Sequence, residues 1–113
     1  MITYQLDIRI PAAISIVVGR LGTFEFPAGR YFYTGSAKTN IEARIARHVR
    51  ADKKLRWHID YLLAHECVSI KKVERFAEPE CAVNQRVNGS IVVDGFGSSD
   101  CRSGCGSHLK RLP

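Results

Sequence analysis

Apolar and polar positions alternate over residues 2–10 (Ile2, Tyr4, Leu6, Ile8 and Ile10 on one side), the two-residue period of a β-strand, and Pro11 ends the run. Ile14–Val18 predicts a second strand, Gly19–Gly22 a turn and Thr23–Phe26 a third strand. Pro27, Ala28 and Gly29 make another turn, and Arg30–Thr34 a further strand ending at Gly35. The first third of the chain therefore reads as an antiparallel meander. The period then changes. Ile41, Ile45 and Val49 recur at i, i+4, i+8, which predicts a helix over 41–50 capped by Thr39 or Asn40, with Glu42 in its first turn. A second helix is expected over 57–65, with Trp57, Tyr61 and Leu62 inward. A strand is expected over Val68–Phe76, and a third helix from Glu80 to Val87 behind Pro79. Residues 88–113 are rich in Gly and Ser, and Asp94–Asp100 within them read as an ordered loop anchored by Ile91–Val93 and Phe96. The class is α+β: one domain over 1–113, with a small mixed, largely antiparallel sheet flanked by about three helices.

Composition narrows the function classes. A chain of 113 residues buries about 65% of its unfolded surface, enough for a core without staples. No run of 18 apolar residues is present, so no membrane span or membrane partner is expected. The first residues lack the pattern of a secretion signal, which makes the cytoplasm the default location. The net charge is +6. Arg44, Arg47, Arg50, Lys53, Lys54 and Arg56 fall within 13 residues interrupted only by Asp52, a footprint suited to nucleic-acid phosphates, although a solvated helix face would carry the same pattern.

Candidate chemistry lies beside that cluster. Arg44 and His48 stand i, i+4 on one helix face, downstream of Tyr33-Thr34-Gly35. A phenol, a fixed cation and a titratable ring suit work on a phosphodiester. His58 and Asp60 are two apart on a helix and do not share a face, so His58 reads as structural, and Trp57 reads as core. Cys101, Cys105 and His108 form a C-x3-C-x2-H group with Cys81 upstream. That spacing fits no common zinc module, so free thiols are expected over a structural zinc or a Cys81–Cys101 disulfide. Ser98, Ser99, Asp100 and His108 form a candidate phosphate-binding or site loop; the alternative is that the tail only covers a sheet edge.

Together these motifs resemble the GIY-YIG nuclease family, and more narrowly an archaeal-type domain of unknown function within it (DUF123-like). Tyr4 in Ile2-Thr3-Tyr4 stands where Gly-Ile-Tyr is usual, and Tyr33-Thr34-Gly35 resembles the second motif. Arg44, His48 and Glu80 resemble the family's arginine, its following polar residue and its metal-binding glutamate. Arg56–Leu63, Gly95–Cys101 and Ser107-His108-Leu109 are similar to the narrower branch. The two tyrosines stand 29 positions apart, farther than the family usually has them, which implies an extra hairpin over 11–29.

The resemblance implies a metal-dependent endonuclease hydrolysing phosphodiester bonds in DNA, in a repair setting and in association with a DNA-repair glycosylase. Glu80 would hold Mg²⁺ (or Mn²⁺), Arg44 would bind the scissile phosphate, Tyr4 or Tyr33 would accept the proton of the attacking water, and His48 would orient the tyrosine. Arg47, Arg50, Lys53, Lys54 and Arg56 would bind the nucleic-acid backbone. The alternative is a non-catalytic nucleic-acid-binding module or an adaptor for a repair enzyme. Oligomeric state is left open.

Overall fold

The computed structural model describes residues 1–99 and 101–113. Its elements run β1 (Thr3–Ile10), β2 (Ile14–Val18), β3 (Gly22–Phe26), β4 (Gly29–Ser36), α1 (Ile41–Val49), α2 (His58–Leu63), β5 (Ser69–Phe76), α3 (Glu80–Gln85), β6 (Ser90–Ile91) and β7 (Leu109–Arg111). The α+β class holds, with three helices around a five-stranded sheet and a separate two-stranded ribbon.

The meander does not hold. β1 pairs along its whole length with β4, from Thr3 opposite Ser36 to Ile10 opposite Gly29, and β2 pairs only with β3. Two eight-residue strands form a longer ladder together than either would with the five-residue β2. The β2–β3 hairpin is thus an insertion between sheet neighbours and packs on α2. The main sheet has the order β5-β1-β4-β7-β6, antiparallel at every pairing. In the tail, Leu109–Arg111 pair with Tyr33–Tyr31 and cover the edge of β4, the alternative that the sequence left open.

The core lies on one face of the sheet. Tyr4, Leu6, Ile8 and Ile10 stand beside Tyr31 and Tyr33 and pack with Phe26, Ile45, Ile59, Leu62 and Phe96. Each such apolar side chain contributes on the order of 1.5–3 kcal/mol on burial. Helix α1 starts at Asn40, whose φ of 50° is tolerated by asparagine and whose side chain accepts from the Ala43 N–H at 3.2 Å. Its inward stripe ends differently from expectation: Val49 is 62% exposed, while His48, three residues after Ile45, is 2% exposed.

One buried carboxylate joins α1 to α2. Asp60 accepts two hydrogen bonds from the Arg47 guanidinium, at 2.9 and 3.0 Å, and one each from the Arg56 and Trp57 backbone N–H groups, both at 2.9 Å. The side chain of Asp60 is 0% exposed and that of Arg47 17%. Burial alone would raise the Asp60 pKa, but these donors outweigh it and hold it below the ordinary value.

Arg47→Ala leaves that charge buried and unpaired, and we expect a loss of about 3–5 kcal/mol in urea denaturation. The same pair gives an acid signature. Because the folded pKa lies below the unfolded value of 3.8, its contribution is complete above that pH and disappears as the pH falls through the folded pKa. Asp60→Asn is expected to remove this part of the acid transition.

Candidate functional site: a cationic cavity beside a thiol cluster

Strands β1 and β4 bring the two tyrosines to one place. Tyr4 faces Gly35 across the ladder and Leu6 faces Tyr33, so the phenols are diagonal neighbours on the core face. The Tyr4 ring lies directly on Gly35: a Cβ there would sit 2.5 Å from Tyr4 Cζ and Oη. Tyr4 is 1% exposed and its hydroxyl is bonded to His48, so a side chain at position 35 would have to displace the ring from that contact. The Tyr4 hydroxyl meets His48 Nε2 at 2.5 Å. His48 Nδ1 has no hydrogen-bond partner among the described residues, and the ring packs against Trp57 with centroids 5.8 Å apart.

Burial sets the protonation of all three groups. It pushes the Tyr4 hydroxyl well above the ordinary phenol range against the opposing pull of Arg44, and pushes Tyr33 up as well. It draws His48 down to about 4, a shift that Asp60 only partly offsets. At neutral pH both phenols are protonated donors and His48 is a neutral ring.

The two phenols border a cavity of about 730 Å³, with His48 behind Tyr4. Tyr4, Tyr33 and Arg44 line it together with Glu80, and Lys38, Arg56 and Arg102 add three more cations to its wall. The Arg44 guanidinium donates to the Ser36 carbonyl at 3.1 Å and lies 4.6 Å from the centre of the Trp57 ring, with Arg47 at 4.1 Å and Arg56 at 5.7 Å. Trp57 is half-buried, so it is both a core residue and the platform that holds these guanidinium groups. His58 Nδ1 accepts from the Gly97 N–H at 2.9 Å, a structural bond on the cavity wall.

The other candidate residues divide. Arg47 is committed to Asp60, and Lys53 donates to the carbonyls of Arg47 and His48 at the end of α1. Arg50 and Lys54 are exposed, and Arg56 reaches the cavity. Ser99 lines the cavity, whereas Ser98 donates to the Gly106 carbonyl. Asp100 lies outside the described residues. Sequence reasoning missed Lys38 and Arg102, which no periodicity marks.

The metal expectation is overturned. Cys81, Cys101, Cys105 and His108 bring one ligand atom each to within 4.8 Å of one another. Three thiols and an imidazole suit zinc, not Mg²⁺, which takes oxygen ligands. Glu80, the residue given the Mg²⁺ role, instead sits with its Oε2 2.6 Å from His108 Nδ1, at the edge of that cluster. That contact is ionic and not an aligned hydrogen bond. Linear spacing argued against zinc because the chain supplies Cys81 from α3 and the other three from the tail.

All four cysteines of the chain are unbridged. Burial pushes the Cys81 thiol up to about 12, while the Cys105 and Ser103 backbone N–H groups bring Cys101 down to about 6. Burial would lower His108, but Glu80 and the neighbouring thiols raise it to about 9. Burial would raise Glu80; His108, Ser36 and Arg44 outweigh it and keep the carboxylate ionised.

The family model described as "Domain of unknown function DUF123" matches residues 3–113, and the chain belongs to that family. No curated protein and no solved structure matches it. No helix among the described residues is long and apolar enough to cross a membrane.

Two measurements check this geometry. Gly35→Ala drives a methyl group into the Tyr4 ring and is expected to cost about 1–3 kcal/mol, with loss of the Tyr4–His48 contact in NMR spectra. The His48 ring signals should stay those of a neutral imidazole down to about pH 5, because the folded pKa is about 4 against 6.5 unfolded. The unfolded chain takes up a proton that the folded one refuses, so stability should fall as pH drops from 6.5 toward 4. Titration of His48 near its ordinary value would contradict the burial argument.

Proposed function

We propose that this DUF123 chain binds the DNA phosphate backbone in its cationic cavity and hydrolyses a phosphodiester bond there. One observation carries the reading: Tyr4, Tyr33, Arg44 and Glu80, from β1, β4, α1 and α3, line one cavity whose wall adds Lys38, Arg56 and Arg102. The resemblance of the tyrosine, arginine and glutamate positions to those of GIY-YIG nucleases supports it.

The chemistry follows from the protonation states. Arg44 presents a planar guanidinium to the non-bridging phosphate oxygens and offsets the charge that grows on them in the transition state. Glu80, an ionised carboxylate, accepts the proton of the attacking water. As the P–O bond to the leaving oxygen breaks, Tyr4 donates its hydroxyl proton to that oxygen. His48, hydrogen-bonded to Tyr4, stabilises the phenolate left behind. Burial makes Tyr4 a proton donor here and not the base that the resemblance implies.

A second reading, a DNA-binding module without catalysis, is favoured by the same burial, which removes both phenols as bases. Labelled duplex, nicked, flap and four-way-junction DNA separate the two. On the proposal the zinc-loaded protein cleaves at least one of them. Arg44→Ala should lower the rate about 10²–10³-fold, in the range of losing a transition-state donor, with the fold intact by circular dichroism. Salt-sensitive binding without cleavage would establish the second reading. Equal cleavage by Arg44→Ala and wild type would remove Arg44 from the chemistry.

A further inference from the structure

The thiol cluster has a geometry of its own, apart from the cavity chemistry. Cys81 Sγ lies 3.4 Å from Cys101 Sγ and 3.9 Å from His108 Nε2. A tetrahedral zinc with Zn–S near 2.3 Å needs ligand atoms about 3.8 Å apart, so the four ligand atoms already stand close to the required spacing. They come from α3, from the loop before the last strand and from the residue that leads into β7, and Cys105 and His108 are buried. Gly104 and Gly106, at φ of 73° and 75°, allow the loop to curl so that Cys101 and Cys105 both face the cluster. Gln85 Nε2 approaches Cys105 Sγ at 3.6 Å, a donor aimed at a sulfur.

We propose that Cys81, Cys101, Cys105 and His108 hold a structural Zn²⁺ that clasps the C-terminal tail to α3, and that Glu80 positions His108 for that ion from the cavity wall. Four protein ligands leave no open coordination position, which makes the site structural. His108 turns Nε2 toward the sulfurs and Nδ1 toward Glu80 at 2.6 Å, which places the carboxylate where it can orient the ligand ring. The clasp compensates for the weak local structure of the tail. β6 has two residues and β7 three, too few to hold 88–113 against the sheet by strand pairing alone. Glu80 is a positioning residue in this respect, and the ion in turn fixes where the Glu80 carboxylate stands.

Metal content tests the proposal independently of cleavage. Native mass spectrometry and elemental analysis of protein supplied with zinc are expected to give one ion per chain. Cobalt(II) in its place is expected to show the thiolate charge-transfer and visible bands of a tetrahedral site, a readout that needs no variant. Cys105→Ser is expected to lose the ion and lower the melting temperature. Cys67→Ser, which alters the exposed cysteine outside the cluster, should change neither. Glu80→Gln should still bind one ion, but about 10–100-fold more weakly in a chelator competition, the range for losing a partner of a ligating histidine. Absence of zinc from the supplied protein, or a Cys81–Cys101 disulfide in the native chain, would overturn the clasp. Zinc affinity unchanged in Glu80→Gln would overturn the positioning role. Because zinc content is read without substrate, failure of the nuclease reading would leave this result standing.

Discussion

The Asp60 carboxylate is the constraint on which this molecule is organised. A fully buried negative charge is tolerable only when its acceptor positions are filled, and Asp60 takes four donors from three neighbouring residues. Satisfying them fixes the end of α1, the basic loop and the first turn of α2 at once. Trp57 is thereby held half-buried at the start of α2, and its face becomes the surface over which Arg44 and Arg56 lie. The same arrangement brings His48 inward against Tyr4. A basic segment that would otherwise be a mobile, self-repelling loop becomes one wall of a cavity.

The positive charge of the chain falls into three kinds. Arg30, Arg75 and Arg86 pair with Asp7, Glu42 and Glu78 in partly exposed contacts that contribute little each. Arg47 and Lys53 are spent inside the fold on Asp60 and on helix-end carbonyls. What remains concentrated is the set at the cavity, Lys38, Arg44, Arg56 and Arg102. A concave surface with low-dielectric walls focuses that charge more strongly than a solvated helix face would. The dense run from Arg44 to Arg56 was therefore a correct sign of charge but a poor map of it, since two of its members act internally and two cavity cations lie outside it.

The alternation of β1, β2, β3 and β5 and the caps of α1 and α3 were legible because they are local. Strand partners were not, because alternation says which face a residue takes and nothing about which strand lies beside it. The expected hairpin over 11–29 was placed correctly from the spacing of Tyr4 and Tyr33, yet the pairing of β1 with β4 emerged only in three dimensions. The short β6 and β7 carry too few residues for a period to register. Nothing local marks Asp60, because its partner Arg47 lies 13 positions upstream on another helix. The thiol cluster was visible as four residues, but familiar zinc spacings assume ligands on one short segment, and here α3 supplies one of them.

Glu80 joins the two halves of the site electrostatically. On one side it faces a wall of guanidinium and ammonium groups, and on the other it touches His108 at the edge of three sulfurs. With zinc bound by three thiolates and a neutral imidazole, the cluster would carry a net charge of −1, set close against that cationic wall. A second carboxylate in the cavity would weaken the field that attracts an anion, and three thiolates without an ion would weaken it more. A bound Zn²⁺ offsets most of the thiolate charge, so the four cations of the wall still outweigh the cluster and Glu80 together, and four protein ligands leave no open coordination position facing the cavity.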